Sequence, residues 1–436
     1  MIFAIISIIL TIASILFVTI NKIKSKWYVW LIYFIGLFTA YSTTMNGLSV
    51  VGSDISRELL MSNLALENGW DLSLYDPSNT SWVVGWFVPT LARFLGWAYD
   101  ICGSIVLSLF PYVANSEVIR IPETALVYKI VLPMIFAFTP VLLYLIFRKQ
   151  IGELKAFYAS VFFIIVPVYA LEICTIGKSM VAETLMVLTF WVLFNASINN
   201  NLRTILVLVL ILLTLWAHYT IGILLCIYLG GIGVYWAIMA IKDKANSNSY
   251  IANTFAMVLI LLFAGLSFYV YYSNVAQGLI WNSSTGILHY DFSQSANVIQ
   301  KSLDGNATAS VDISATVKAY NLVKSALGLD LFQYSWSGIA FRVVQLLTQL
   351  LIVLGFGWMI WKRNYPQNGI LAYRWNPEFV AGCFVAFGLL GLCVVVPAFA
   401  SLINATRQYH LALFFLSPMF VIAFDAIGVC LKWSVK

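Results

Sequence analysis

Apolar runs long enough to cross a bilayer recur from one end of this chain to the other, and no other feature limits its fold so strongly. A hydrocarbon core of about 30 Å is crossed by about 20 apolar residues in a helix, and within it only helices or closed barrels satisfy their own backbone. Runs of this kind are read at 1–20, 28–43, 128–147, 156–172, 179–198, 204–218, 220–241, 250–272, 338–361, 379–399 and 410–431. They predict a single all-α polytopic membrane domain over residues 1–436, a bundle of about 11 transmembrane helices. Composition agrees: 61% of residues are hydrophobic and 10% charged, against about a quarter charged in soluble domains. The net charge of +6 does not point to nucleic acid, because the basic residues lie between the apolar runs, where topology requires them. Six cysteines are scattered through apolar segments without a CxxC pair, which points to neither a disulfide framework nor a metal site.

Charge sets the orientation. The first run is followed, not preceded, by Lys22, Lys24 and Lys26, the reverse of a cleaved signal peptide, so it reads as an uncleaved helix with its N-terminus outside. Counting spans from there, Arg148, Lys149, Lys155, Arg203, Lys242, Lys244, Lys362, Arg363, Arg374, Lys432 and Lys436 fall on the same side as the first lysines. The predicted topology is N-outside and C-inside. Two external segments are longer than turns. The first, 44–126, contains a hydrophobic stretch, 82–113, broken by Pro89, Arg93, Asp100 and Pro111 and dotted with aromatics; it reads as interfacial helices or a re-entrant hairpin. The second, 273–336, is rich in Ser, Asn and Ala and carries glycosylation-type tripeptides at Asn282 and Asn306.

With this topology the unusual polar residues collect at the external level. The string VGSDISRE places Asp54, Arg57 and Glu58 within two helical turns, and Asp54 and Glu58 at i,i+4 share a helix face. EICTIGK places Glu172 and Lys178 about a short turn, with Glu183 one turn into the next helix; WAHYTIG supplies His218 and Tyr219; NATRQYH supplies Arg407, Tyr409 and His410. Each alone has an ordinary reading. Asp54 and Glu58 would serve a helix start, Arg407 or Lys178 would anchor to headgroups, His218 would be a satisfied helix-end residue, and Glu183 would offset Lys178. Their common level argues for a site, since charge beside a span is costly and usually faces a cavity or a partner.

An acidic first external loop, an interfacial amphipathic stretch and many spans joined by short external turns resemble the GT-C glycosyltransferases, and GSDISRE, GKSMVAE, AHYT and TRQYH resemble strings in archaeal and bacterial polytopic proteins near that group. The resemblance implies an inverting glycosyltransferase in a prokaryotic plasma membrane, with its active site facing outside. It would move a sugar from a polyprenyl-phosphate donor, dolichyl or undecaprenyl, to a lipid, glycan or protein acceptor. By the same resemblance Asp54 is the catalytic acid of the first loop and Glu58 a weaker match for the second. Arg57, Lys178, His218 and Arg407 are candidates for the donor phosphate, and Glu183, Tyr219, Tyr409 and His410 for substrate contacts. With two acids and no third, dependence on a divalent cation (Mg or Mn, at Asp54 and Glu58) stays open. This chain departs from the family in having two spans before the acidic loop and no WWDYG-like string. A membrane transporter and a lipid-linked glycan ligase or polymerase are the alternative classes. A transporter would place its charges nearer mid-membrane on broken helices, and the acidic first loop speaks against a ligase.

Overall fold

The computed structural model of the chain describes residues 2–20, 22–46, 50–69, 81–97, 123–271, 336–362, 373–395 and 405–430. Among them every regular element is helical and no strand occurs. The order is α1 (Ile2–Thr19), α2 (Tyr28–Thr44), α3 (Ser53–Asn68), α4 (Val83–Trp97), α5 (Glu123–Ile151), α6 (Glu153–Ile165), α7 (Pro167–Thr175) and α8 (Gly177–Leu193). There follow α9 (Asn200–Ala217), α10 (Tyr219–Lys242), α11 (Ser247–Tyr271), α12 (Trp336–Lys362), α13 (Pro377–Val395) and α14 (Ala405–Cys430).

Among the described residues seven helices are long and apolar enough to cross a membrane: α1, α5, α9, α10 and α11, with the central parts of α12 and α14. An eighth is added if α6 and α7 are one broken span. The protein is therefore a polytopic helical membrane protein, with fewer qualifying spans than the eleven expected. Helices α2 and α8 are each 17 residues long, about 25 Å at 1.5 Å per residue. The straight span expected at 156–172 bends by 49° between Ile165 and Pro167. Val166 is extended (φ −63°, ψ 127°), as proline requires of the residue before it, and Pro167 has no N–H to continue the ladder. In the first long loop, α4 is a short apolar helix. Residues 98–122, the second half of the expected interfacial stretch, lie outside the described residues, as do 273–335 with Asn282 and Asn306.

The bundle has two chemically distinct ends. At one, Tyr28 packs on Tyr144 and Phe157, Lys149 donates to Asn195 at 3.2 Å, and the backbone N–H groups of Arg374 and Asn376 donate to Gln150. Asp425 there accepts from Lys155 and Tyr373, both at 2.5 Å. The basic corners after α1, α5 and α8 and before α13 thus gather at one end. Of the seven membrane-length helices α14 is the most enclosed: Phe415 lies 4.9 Å from the Phe190 ring, 5.1 Å from Tyr228 and 5.5 Å from Phe379. A Cβ on Gly355 of α12 would overlap the Met419 carbonyl of α14. The two helices cross where only glycine lets backbones meet, the small-residue contact typical of bilayer helix pairs.

Candidate functional site

The other end is organised around the corner between α7 and α8. Helix α3 is brought onto it by Gly52, whose φ of +123° puts it in the left-handed region and whose hypothetical Cβ would meet Thr175. From there Ile55, Glu58, Ser62 and Ala65 form the buried stripe of α3, at the spacing of one helix face. Glu58 is thus an acid in the middle of an otherwise core-facing stripe, and it is fully buried.

Its surroundings explain how a carboxyl is held there. The backbone N–H of Lys178 donates to Glu58 Oε2 at 3.2 Å, so the carboxylate meets the positive end of α8. A Cβ on Gly177 would lie 2.8 Å from the same oxygen and overlap the Tyr128 ring; only glycine lets the helix start approach this closely. Ser62 shares a 3.0 Å hydrogen bond with the Tyr128 hydroxyl and donates to the Val84 carbonyl at 2.9 Å, tying α3 to α5 and α4. Glu58 Oε1 has no hydrogen-bond partner. Burial pushes the carboxyl up to about 7, against the opposing pull of Lys178 and the helix amides, and nearby Asp54 pushes the same way as burial. Desolvation outweighs the favourable contacts because a fully buried charge loses its hydration on every side.

Two cations and a histidine converge on the same corner from three distant parts of the sequence. His218, at the turn between α9 and α10, is buried, and Lys178 and Arg407 both act on it. Burial first, then these two cations, hold its imidazole well below the ordinary histidine range, so it is neutral at pH 7. Its Nδ1 has no hydrogen-bond partner, and Tyr219 stacks on it at 5.6 Å. Arg407 Nε stands 3.8 Å from Glu172 Oε1, and Thr406 donates to Glu172 Oε2 at 2.5 Å. One carboxylate at the end of α7 thus grips the first turn of α14.

Deeper in the bundle lies a second pair. His410 Nδ1 and Glu183 Oε2 are 3.3 Å apart, and both side chains are 0% exposed. The approach is an ion-pair distance without hydrogen-bond geometry, and both oxygens of Glu183 and both ring nitrogens of His410 lack a hydrogen-bond partner. Phe163 stacks on His410 at 4.4 Å and the Tyr169 ring lies 6.1 Å away. Gln408, Ser179 and the Tyr169 hydroxyl are also buried without hydrogen-bond partners. Buried polar atoms are costly unless satisfied, so this concentration marks a place built for something more than packing.

The structure thus brings together Glu58, Lys178, His218, Tyr219 and Arg407, with Glu183 and His410 beneath them. Asp54 is exposed on the first turn of α3, close enough to act on Glu58. Arg57 is exposed and has no partner among the described residues, and Tyr409 turns its hydroxyl to Thr348 of α12. Sequence reasoning names Glu172 among the polar residues of the turns without giving it a role, and it passes over Thr406 and Gln408, which stand within the string NATRQYH. It also lacked Tyr128, Tyr169 and Gly177, which no charge pattern marks. A divalent cation does not fit at Asp54 and Glu58: Glu58 Oε2 already faces a helix N-terminus, and the charge beside it is Lys178. Among the described residues no three His, Cys, Asp or Glu side chains form a metal-holding group. No family model, curated protein or solved structure matches this chain.

Proposed function

We propose that this protein is an inverting membrane glycosyltransferase of the GT-C kind, using a sugar on a polyprenyl phosphate and working at the external face. The observation that carries the reading is the meeting of Lys178, His218 and Arg407 beside the acidic start of α3. These residues come from four separate turns at the non-basic end of the bundle. By the positive-inside rule that end is external. In this reading α2, α8 and α13, with α6 and α7 as one span, complete a bundle of about 11, and α4 lies along the interface.

The chemistry follows from these positions. A polyprenyl-phosphate sugar presents its phosphate at the headgroup level, where Arg407 and Lys178 supply charge and the neutral His218 supplies hydrogen bonding. The acceptor hydroxyl gives its proton to Asp54 as its oxygen bonds to the anomeric carbon, and the bond from that carbon to the phosphate oxygen breaks. The lipid phosphate leaves with the electron pair, and the single displacement inverts the anomeric centre. Asp54 suits the base because it is exposed to an incoming acceptor, whereas Glu58 is enclosed against α8 and sets the position of Lys178. The test is turnover of a panel of radiolabelled polyprenyl-phosphate sugars by membranes containing the protein. Asp54→Asn should lower the rate on the active donor by about a hundredfold or more while the protein still folds. A near-normal rate would remove Asp54 as the base, and no turnover of any donor by the wild type would remove the class.

A second reading draws on the buried Glu183–His410 pair, since ionisable groups inside a bundle also serve proton-coupled transport. Proton uptake by proteoliposomes driven by a solute gradient, without donor turnover, would favour it.

A further inference from the structure

We propose that the corner joining α1 to α2, at the basic end of the bundle, is a binding site for one anionic phospholipid of the membrane. A cavity of about 810 Å³ opens there, lined by Lys22, Lys24, Lys26, Trp27, Trp30 and Phe34 among others, none of them acidic. Its volume falls within the range of small-molecule sites, about 300–1,000 Å³.

Two walls of different chemistry meet in it. The three lysines fall within five residues of chain, and among the described residues none has a carboxylate partner; Lys26 instead lies over the Trp27 ring at 5.8 Å. Trp30 and Phe34 stand at i and i+4 on one face of α2, and Trp27, the residue just before the helix, lies one turn ahead of Trp30. Trp27, Trp30 and Phe34 are 52%, 55% and 41% exposed, while Tyr28, Ile32 and Ile35 of the opposite face are at most 5% exposed. Trp30 and Phe34 stack at 6.4 Å, extending the aromatic wall from the lysines toward the middle of the bilayer. A cationic head region that continues into an apolar, outward-facing wall is complementary to a molecule with an anionic head and an acyl chain. The hollow lined by Arg148, Lys149, Gln150, Gly152 and Arg374 is basic as well but has no aromatic or aliphatic wall, so it matches an anion alone. The combination at the α1–α2 corner therefore selects a lipid over free phosphate.

The test is native mass spectrometry of the full-length protein in neutral detergent doped with phosphatidylglycerol or phosphatidylcholine. One phosphatidylglycerol should be retained in preference to phosphatidylcholine. Its retention should weaken as salt rises and should survive a large excess of inorganic phosphate. Lys24→Gln should weaken it about fivefold, and Lys22→Gln, Lys24→Gln and Lys26→Gln together about a hundredfold, the scale expected of cations at an anionic surface. Trp30→Ala should shorten retention, and Lys149→Gln should leave it unchanged. Equal retention of the two lipids, which needs no variant to observe, would overturn the proposal. So would undiminished binding in a folded triple variant, and displacement by inorganic phosphate would show an anion site in place of a lipid site.

Discussion

Glu58 shows what a single residue contributes here. It occupies a core position of α3, and the start of α8 closes over it without removing the cost of its charge. The consequence for stability has a definite sign. A carboxyl whose folded value is raised to about 7 binds more protons in the folded than in the unfolded protein between the ordinary carboxylate range and about pH 7. Stability contributed by this group is therefore fully present below the ordinary range and is lost as pH rises through about 7. Thermal unfolding of the detergent-solubilised protein should show a melting temperature that falls across this interval, and Glu58→Gln, which keeps the shape without the charge, should flatten the profile. A Gln variant with the wild-type slope would assign the pH dependence to another group. The sequence pointed to Glu58 as a candidate but not to its burial, because i,i+4 spacing with Asp54 says that two acids share a face, not which face. The stripe Ile55, Glu58, Ser62 and Ala65 is as polar as it is apolar, so its burial follows from what packs on it and not from periodicity.

Among the elements, α8 has the largest effect on the site. Its first residue, Gly177, sits between Tyr128 and Glu58, Lys178 supplies the amide that caps Glu58, and Glu183 reaches His410 of α14. Gly177→Ala should therefore destabilise the protein by about 1–3 kcal/mol, as overpacking does, and should weaken the docking of α3. Gly388→Ala in α13, where nothing lies within 4 Å of the new carbon, should cost nothing, since alanine is the better helix former. Equilibrium unfolding of both variants checks the contrast, and equal stability of the two would show that the α3–α8 approach tolerates a side chain. Hydrophobic runs located the long helices because a bilayer enforces apolar composition along their whole length. The break at Pro167 was visible as a proline in the sequence, but its 49° bend depends on how α6 and α7 pack. The glycine start of α8, where the site is built, lies just ahead of an apolar run, and nothing in that run marks Gly177 or Lys178 as site residues.

At the scale of the whole molecule, helices far apart in sequence divide their charge between two ends. Lysines and arginines with few acids gather at one end, and at the other carboxylates, histidines and two cations sit on one corner. Apolar spacing and basic clusters predicted that division, because the number of spans between two turns decides which end each occupies. What the sequence left unread was how near the turns at the less basic end stand to one another. The electrostatic reach of Lys178 and Arg407 to His218, and of Glu172 to Arg407, depends on the packing of α7, α8, α9 and α14. Arg407 joins this group from the last helix, so it is the residue through which the convergence is best tested. The most direct measurement is the affinity of the purified protein for a short-chain polyprenyl monophosphate, the leaving group of the proposed reaction, compared between wild type and Arg407→Lys. Lysine keeps the charge but loses the planar two-donor edge of guanidinium. If Arg407 grips the lipid phosphate at this corner, the exchange should weaken binding by about 1.5–3 kcal/mol, roughly tenfold to a hundredfold. Unchanged affinity in a correctly folded variant, or no binding by the wild type, would contradict the account.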